Sequence, residues 1–353
     1  MPELNDRLIN LLDLLNDATP NVDMIQQGGN ALMEAAREAT EDERTAVVTA
    51  LGPAMGEAHP LVGSILAIYA GAMVEFGAAV GETGPAVVSL LSQQISGAVD
   101  YIEAANEKDS DPEETQTMQA LAGDYGEAVL RWQAFNNYGR SALTMMQNDP
   151  STRTAARANP DLLASLEVLS EYSGIAEWLF RLTGVLHDEE LLVLHPDQRV
   201  GFRVKISGIA DNFQLQVLLA DAIMGDPADG WMDGEKFPDE VVAAMRDANP
   251  DEEITTKSKF NMLNYVALNA DKTVGSGLGD MFHWIYSEDT PEAIFPFNGV
   301  RVVLIGKRPY DLAFNAGRTF GMMPGRVEVV EKLDKAQVEA WLDKIIADDD
   351  NTA

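Results

Sequence analysis

The stretch RVGFRVKIS at residues 199–207 decides the fold of the C-terminal half of this chain. Its even positions, Val200, Phe202, Val204 and Ile206, are apolar, whereas its odd positions are small or polar. Successive side chains of a β-strand point to opposite faces of the sheet, so an alternation with a period of two predicts one buried and one exposed face. A half-covered strand of this kind requires a sheet with a core on one side.

The neighbouring sequence indicates how that sheet is built. Three further apolar runs have strand length: 190–194, 300–305 and 327–333. Only a few residues separate the first of them from 199–207, which favours a hairpin and a mixed or antiparallel sheet. Asp211 and Asp334 are each followed three residues later by Gln, a pattern that predicts helix starts at both positions.

The N-terminal half has a different pattern: its apolar residues recur at helical spacing, and no segment has a convincing strand pattern. Leu4, Leu8, Leu11 and Leu15 form one stripe of an amphipathic helix. Residues 112–148 are predicted to form one helix, or two helices broken near Gly139.

A further helix is predicted to start at Asn159 and Pro160 and to keep one face to Leu186. We therefore expect an α+β protein, with an all-helical bundle or array at residues 1–187 and a mixed α/β domain at 188–353. Within the second domain, residues 225–259 are predicted to be a loop-rich insertion.

The charge of the chain is −32, from 57 acidic and 25 basic residues. Successive blocks of fifty residues contain 10, 4, 9, 8, 9 and 8 acids, and the last 53 residues contain 9. Such an even excess favours adaptation to salt or selection for solubility over one basic partner. It also disfavours nucleic acid, whose phosphates require Lys and Arg. The absence of cysteine and the acidic N-terminus lead us to expect a cytoplasmic protein.

The acid-poor second block forms the first interruption of this pattern. Between residues 60 and 99 only Glu75 and Glu82 are charged, and two helices joined near Gly81 would make a hydrophobic hairpin. A buried pair at the centre of the helical half is the favoured interpretation. A membrane-inserting pair and a partner-binding groove are the alternatives. The membrane is the less favoured of these because the run is short and has no basic flanks.

A basic island forms the second interruption. Residues 301–326 contain five basic residues and one acid, a net charge of +4. If the strands at 199–207 and 300–305 are neighbours, basic side chains from both converge on a small anionic ligand or on a partner. The candidate binding residues are Arg199, Arg203, Lys205, Lys307, Arg308, Tyr310, Asn315 and Arg318. The alternative is that this surface docks against the acidic helical half or against a second copy.

Signatures of catalysis, metal or cofactor binding are weak throughout. His195, beside Asp197 at a strand end, is the candidate general base. Asp226, Asp229 and Asp233 are weak candidates for a calcium site, although their spacing does not fit an EF-hand loop. The glycines of 275–280 lack the flanking elements of a dinucleotide fingerprint. We expect no cofactor.

Three functions follow, in order of preference. The first is a non-enzymatic binding or adaptor protein with a helical recognition surface and an α/β docking or regulatory module, acting on another protein or on a second copy of itself. The second is an enzyme that binds a small anionic substrate through the basic loop 307–318. The third is a membrane-active helical protein that uses residues 60–99.

Overall fold

A computed structural model describes residues 2–16, 21–275, 281–308 and 310–352. The chain divides into two compact units, Met1–Thr183 and Gly184–Ala353. Helices make up the first unit, and a mixed sheet with helices makes up the second. The predicted α+β class is therefore confirmed.

Within the described residues, the first unit contains the following helices: α1 (Pro2–Asp13), α2 (Val22–Ala36), α3 (Glu41–Glu57), α4 (Pro60–Glu75), α5 (Thr83–Glu107), α6 (Thr115–Leu121), α7 (Gly126–Asn148), α8 (Pro150–Arg157), α9 (Pro160–Leu169) and α10 (Gly174–Thr183). Side-chain caps begin several of them. The Asn159 side chain accepts the backbone N–H of Leu162, as the predicted start of α9 required. Thr40 and Glu43 form a reciprocal capping box at α3.

Two predicted helices differ from the observed ones. The run 112–148 is divided at residues 122–125, and not at Gly139, which lies inside α7. A Cβ at Gly139 would come within 2.5 Å of the Ile175 side chain, so this glycine serves close helix packing and not a break. The helix expected from 159 to 186 ends at Leu169, and a turn precedes α10.

The charge-poor pair α4 and α5 contributes much of the core of the first unit. Most of α4 is buried, including Leu66, Ala67 and Met73. Gly77 and Gly81, both with positive φ, lie in the connection between the two helices. Among the described residues, no helix combines the length and the apolar character that a membrane span requires.

The second unit contains β1 (Glu189–His195), β2 (Val200–Ser207), α11 (Asn212–Ile223), α12 (Asp239–Arg246), β3 (Ile254–Lys257), β4 (Asn261–Asn264), β5 (Pro296–Phe297), β6 (Val300–Gly306), β7 (Ala313–Ala316), β8 (Arg326–Leu333) and α13 (Lys335–Thr352). The main sheet has the order β4-β6-β1-β2-β8, and β5 pairs with β6. The predicted hairpin is present, because β1 and β2 pair antiparallel. Since β1 and β6 pair parallel, the sheet is mixed.

Helices pack on both faces of this sheet, and Lys205 on the polar face of β2 stays exposed, as predicted. Phe202, Val204 and Ile206, the apolar positions of β2, belong to a core that also contains residues of α11 and α12. On the other face, Val338 and Leu342 of α13 pack with residues of β1 and β6. The predicted capping box starts α13, since the Asp334 and Gln337 side chains each accept the other residue's N–H.

The edge strand β8 has a bulge and charged side chains that oppose pairing with a strand of another chain. Arg203 pairs with Glu331, whereas its neighbour Val204 pairs with Val329, so Val330 is an extra residue that makes a β-bulge. Charged residues flank the bulge along the exposed edge, among them Glu328 and Lys332. Bulges and edge charges prevent a sheet from continuing into another chain.

Candidate functional site

The candidate site is a cleft at the carboxyl ends of the parallel strands β1 and β6. These strands end at His195 and Gly306, and loops leave the sheet there. Open sheets of this kind commonly hold ligands beyond the carboxyl ends of their strands. The cleft has a volume of about 650 Å³, within the range of small-molecule sites.

The β1–β2 turn and the loop after α11 form one wall. The Gln198 side chain joins them, because it donates to the Asp233 carbonyl (3.0 Å) and accepts the Asp233 N–H (2.8 Å). A parallel bridge between Met224 and Met232 closes the base of that loop. The wall is therefore held by backbone-directed hydrogen bonds, and the Asp233 carboxylate remains available to the cleft.

Three of the described residues that line the cleft are cations, and two of them are already engaged. Lys259 forms an ion pair with Glu235 at 2.8 Å, which lowers the pKa of that carboxyl. Arg308 donates to the Ser258 carbonyl and lies 3.5 Å from Asp311. A hydrogen bond from Lys257, which is 3.0 Å away, is the main cause that lowers the pKa of Asp311.

Lys307 is the remaining cation. It is exposed, and among the described residues no carboxylate forms an ion pair with it. The carboxylates of Asp197 and Asp233 likewise have no ion-pair partner within the described part of the chain. The charged lining residues are Lys259, Lys307, Arg308, Asp197, Asp233, Glu235 and Asp311, three cations against four carboxylates. The cleft thus presents both signs of charge.

His195 lies at the end of β1 with its ring partly buried. Burial lowers its pKa from the ordinary value of 6.5, and the nearby Asp197 opposes that shift. The ring Nδ1 accepts the Gln198 N–H at 3.4 Å. A neutral imidazole that accepts at Nδ1 carries its proton on Nε2, so His195 presents a donor.

An aromatic pair stands beside the cleft. The Tyr310 ring stacks on Trp284 with a centroid separation of 6.0 Å, and 53% of Tyr310 is exposed. Tyr310 therefore offers the cleft a ring face and a hydroxyl together.

No protein family, curated protein or solved structure matches this chain. Among the sequence-predicted residues, the cleft brings together Lys307, Arg308 and Tyr310 of the basic loop with His195.

The predicted convergence of the basic strand β2 with this loop does not occur. β1 lies between β2 and β6, so the two strands are not neighbours. Arg203 instead forms ion pairs with Glu190 and Glu331, and Arg199 forms one with Glu339 of α13 at 3.0 Å. These arginines, together with Lys205, are not among the residues that line the cleft.

Asn315 and Arg318 also lie outside the cleft. Arg318 donates to the carbonyls of Met323 (3.0 Å) and Asp247 (2.8 Å) and to the Asn249 side chain (2.8 Å), so it braces two loops. Burial lowers the pKa of its guanidinium. Asn315 is on β7, where its side chain contacts Glu253 and Thr255.

The carboxylates considered for calcium are not brought together. Asp226 caps a short 3-10 helix by accepting the Ala228 N–H (2.9 Å), whereas Asp233 lies in the cleft. The Asp229 carbonyl accepts a hydrogen bond from the ammonium group of Lys332. Within the described ranges, no three His, Asp or Glu side chains gather as metal ligands would. Of the glycine-rich run 275–280, residues 276–280 lie outside the described residues.

Sequence reasoning missed Gln198 and Lys259 as residues of the site. Gln198 follows the end of β1 in a polar turn, and Lys259 lies in the insertion, 64 residues after His195 and 47 residues before Gly306. No local sequence pattern predicts either residue, because each contacts a loop that is distant in sequence: Gln198 bonds to Asp233, and Lys259 pairs with Glu235.

Proposed function

We propose that this chain is a non-enzymatic binding or adaptor protein whose α/β unit is a regulatory module that holds a small zwitterion. The ligand class is an amino-acid-like molecule with one ammonium group and one carboxylate. The helical half supplies the surface that recognises another protein or a second copy. The absence of cysteine agrees with a cytoplasmic location.

The observation that carries this proposal is the set of unpaired charges in the cleft. Lys307 supplies a cation for a carboxylate, and Asp197 and Asp233 supply anions for an ammonium group. A nucleotide or another polyanion is disfavoured, since four carboxylates line the same cleft and the whole chain is strongly acidic. The purely anionic ligand expected from the basic island is thus replaced by a ligand of mixed charge.

Isothermal titration calorimetry on the full chain tests the proposal. The probes are glycine, alanine, glutamine and lysine as zwitterions, with succinate and ethylamine as ligands of one charge sign. We expect heat of binding from at least one zwitterion and none from succinate or ethylamine. Lys307→Gln and Asp197→Asn should each weaken binding about tenfold or more, because each removes one charge-assisted contact.

Lys335→Gln is the matched control, because Lys335 is also an exposed lysine of this unit and lies outside the cleft. Binding should be unchanged in this variant. Succinate binding as tightly as the best zwitterion, or equal loss in the control, would contradict the proposal.

The enzyme remains the second candidate because His195 lies in the same cleft and burial favours its neutral form. The neutral ring then donates a hydrogen bond from Nε2 to a bound molecule, as an electrophilic group that polarises a substrate carbonyl would. Proton NMR on a mixture of the protein with its zwitterionic ligand distinguishes the two functions. Turnover that disappears in His195→Gln supports the enzyme, whereas an unchanged ligand supports the binding protein.

A further inference from the structure

A polar groove lies between α2, α4 and α7 in the helical unit. Two adjoining cavities of about 630 and 370 Å³ share Gln26, Ile65, Asn137 and Arg140 in their linings. Each is within the size range of a small-ligand site. Neither cavity is lined by residues of the α/β unit.

Close helix packing shapes the floor of this groove. The Tyr69 ring of α4 lies against Gly29 of α2, where a Cβ would come within 2.0 Å of the ring. The Tyr69 hydroxyl also donates to the Gln26 carbonyl at 3.0 Å. Ile65 and Trp132, both buried, give the groove an apolar base. Packing between α2, α4 and α7 therefore shapes the floor of the groove.

Amide side chains provide the walls. The amide residues are Gln26 and Asn30 of α2 and Gln133, Asn136 and Asn137 of α7. The Asn137 Nδ2 donates to the Ser64 hydroxyl (3.1 Å), and the Asn136 Nδ2 donates to the Trp132 carbonyl (3.0 Å). Both amides are oriented by these bonds, and their Oδ1 atoms remain as acceptors. Such a wall matches the alternating N–H and C=O groups of an extended peptide.

Arg140 is the cation of the groove. It follows Gln133, Asn136 and Asn137 on the same face of α7, at positions i, i+3, i+4 and i+7. Most arginines of this acidic chain form ion pairs or contact carbonyls, but the Arg140 guanidinium does neither among the described residues. An unpaired guanidinium fork beside oriented amides is suited to one carboxylate.

We infer that this groove binds the free C-terminal carboxylate of an extended peptide, with Arg140 on the carboxylate and the amides on the peptide backbone. A single carboxylate fits better than an acidic run, because Glu113 also lines the larger cavity and the chain as a whole is negative. This inference gives a ligand class to the recognition role proposed for the helical half. It does not depend on the cleft of the α/β unit.

Two matched probes test the inference on the full chain. N-acetyl-dialanine carries a carboxylate, and N-acetyl-dialanine amide has the same shape without the charge. We expect the acid to shift the NMR signals of the Arg140 side chain and of the groove amides, with an affinity at least about tenfold higher than that of the amide. Arg140→Gln should reduce the affinity for the acid by a similar factor.

Arg326→Gln is the control, since Arg326 is also an arginine without an ion pair among the described residues but lies on β8. It should bind the acid as the wild type does. Equal affinity for the acid and the amide, wild-type affinity in Arg140→Gln, or no shift in the groove at 50-fold molar excess of the acid would each overturn the inference. Zwitterion binding at the cleft is measured separately, so either proposal can fail alone.

Discussion

The contact between α3 and α4 makes a sharp prediction at Gly63. A Cβ added there would lie 2.5 Å from the Met55 carbonyl oxygen and 2.5 Å from the Tyr138 hydroxyl. Carbon and carbonyl oxygen normally approach no closer than about 3.3 Å, so one or both neighbours would have to move by roughly 0.8 Å. The carbonyl belongs to the backbone of a helix and the hydroxyl to a buried tyrosine, so neither moves easily.

The magnitude follows from two opposing effects. Alanine gains about 1 kcal/mol over glycine in helix propensity. Overpacking a well-filled core costs about 1–3 kcal/mol, and we expect the upper end here because both obstructing atoms are held. Gly63→Ala should therefore lower the free energy of unfolding by about 2 kcal/mol.

Urea unfolding followed by circular dichroism at 222 nm measures this change. The matched control is Gly56→Ala on α3, where a Cβ would meet nothing within 4 Å. That variant should gain up to about 1 kcal/mol from propensity alone. In the double variant Gly63→Ala/Tyr138→Phe, removal of the hydroxyl should recover part of the loss. Equal stability of Gly63→Ala and Gly56→Ala would show that the Met55 carbonyl and the Tyr138 hydroxyl do not obstruct a Cβ at residue 63.

Four further predictions concern charge, bracing, protonation and membranes. The melting temperature should rise as NaCl increases from 10 mM to 1 M. The Debye length falls from about 30 to about 3 Å over this range, so the repulsion within a chain of charge −32 is screened. A melting temperature independent of NaCl would contradict this role of charge repulsion. Arg318→Gln should lower the free energy of unfolding by about 1–3 kcal/mol, since four acceptors lose a charged donor. Arg326→Gln should change it by less than about 0.5 kcal/mol in the same urea titration. Burial holds the pKa of His195 below 6.5, so the unfolded chain binds the proton more readily than the folded chain does. The free energy of unfolding should therefore fall as the pH drops below 6.5. Urea midpoints measured between pH 5 and 8 should show that His195→Gln loses this part of the pH dependence. The full chain should remain at the bottom of a density gradient with liposomes, because α4 is largely buried within its unit. Flotation with the liposomes would instead support the membrane-active function.

Local patterns predicted the elements whose signals lie within a few residues. The alternation at 199–207 predicted β2, and the Asp-to-Gln spacing at Asp334 predicted the cap of α13. The break at residues 122–125 was missed because no proline marks it, whereas Gly139 suggested a break that packing against Ile175 removes. Glycine in a helix signals either a weak point or a close approach, and only the neighbouring helix distinguishes them.

The candidate site was predictable only in part, for the same reason. Lys307, Arg308 and Tyr310 follow a buried strand, and this position alone predicted a ligand-contacting loop. Gln198 and Lys259 belong to the site through contacts across loops, which leave no periodic trace in the sequence.

The basic island shows what the sequence by itself determined and what the tertiary structure decided. Composition and patterning determined the α+β class, the evenly acidic surface and the two interruptions in it, because hydrophobic period and charge are properties of the chain itself. Which charges stay unpaired was decided only by the order of the strands. β1 separates β2 from β6, so Arg203 of β2 lies away from the cleft and forms ion pairs with Glu190 and Glu331. Lys307 lies in the cleft without an ion pair among the described residues. Ion pairing depends on distances of a few ångströms between residues that are remote in sequence, and folding alone sets those distances.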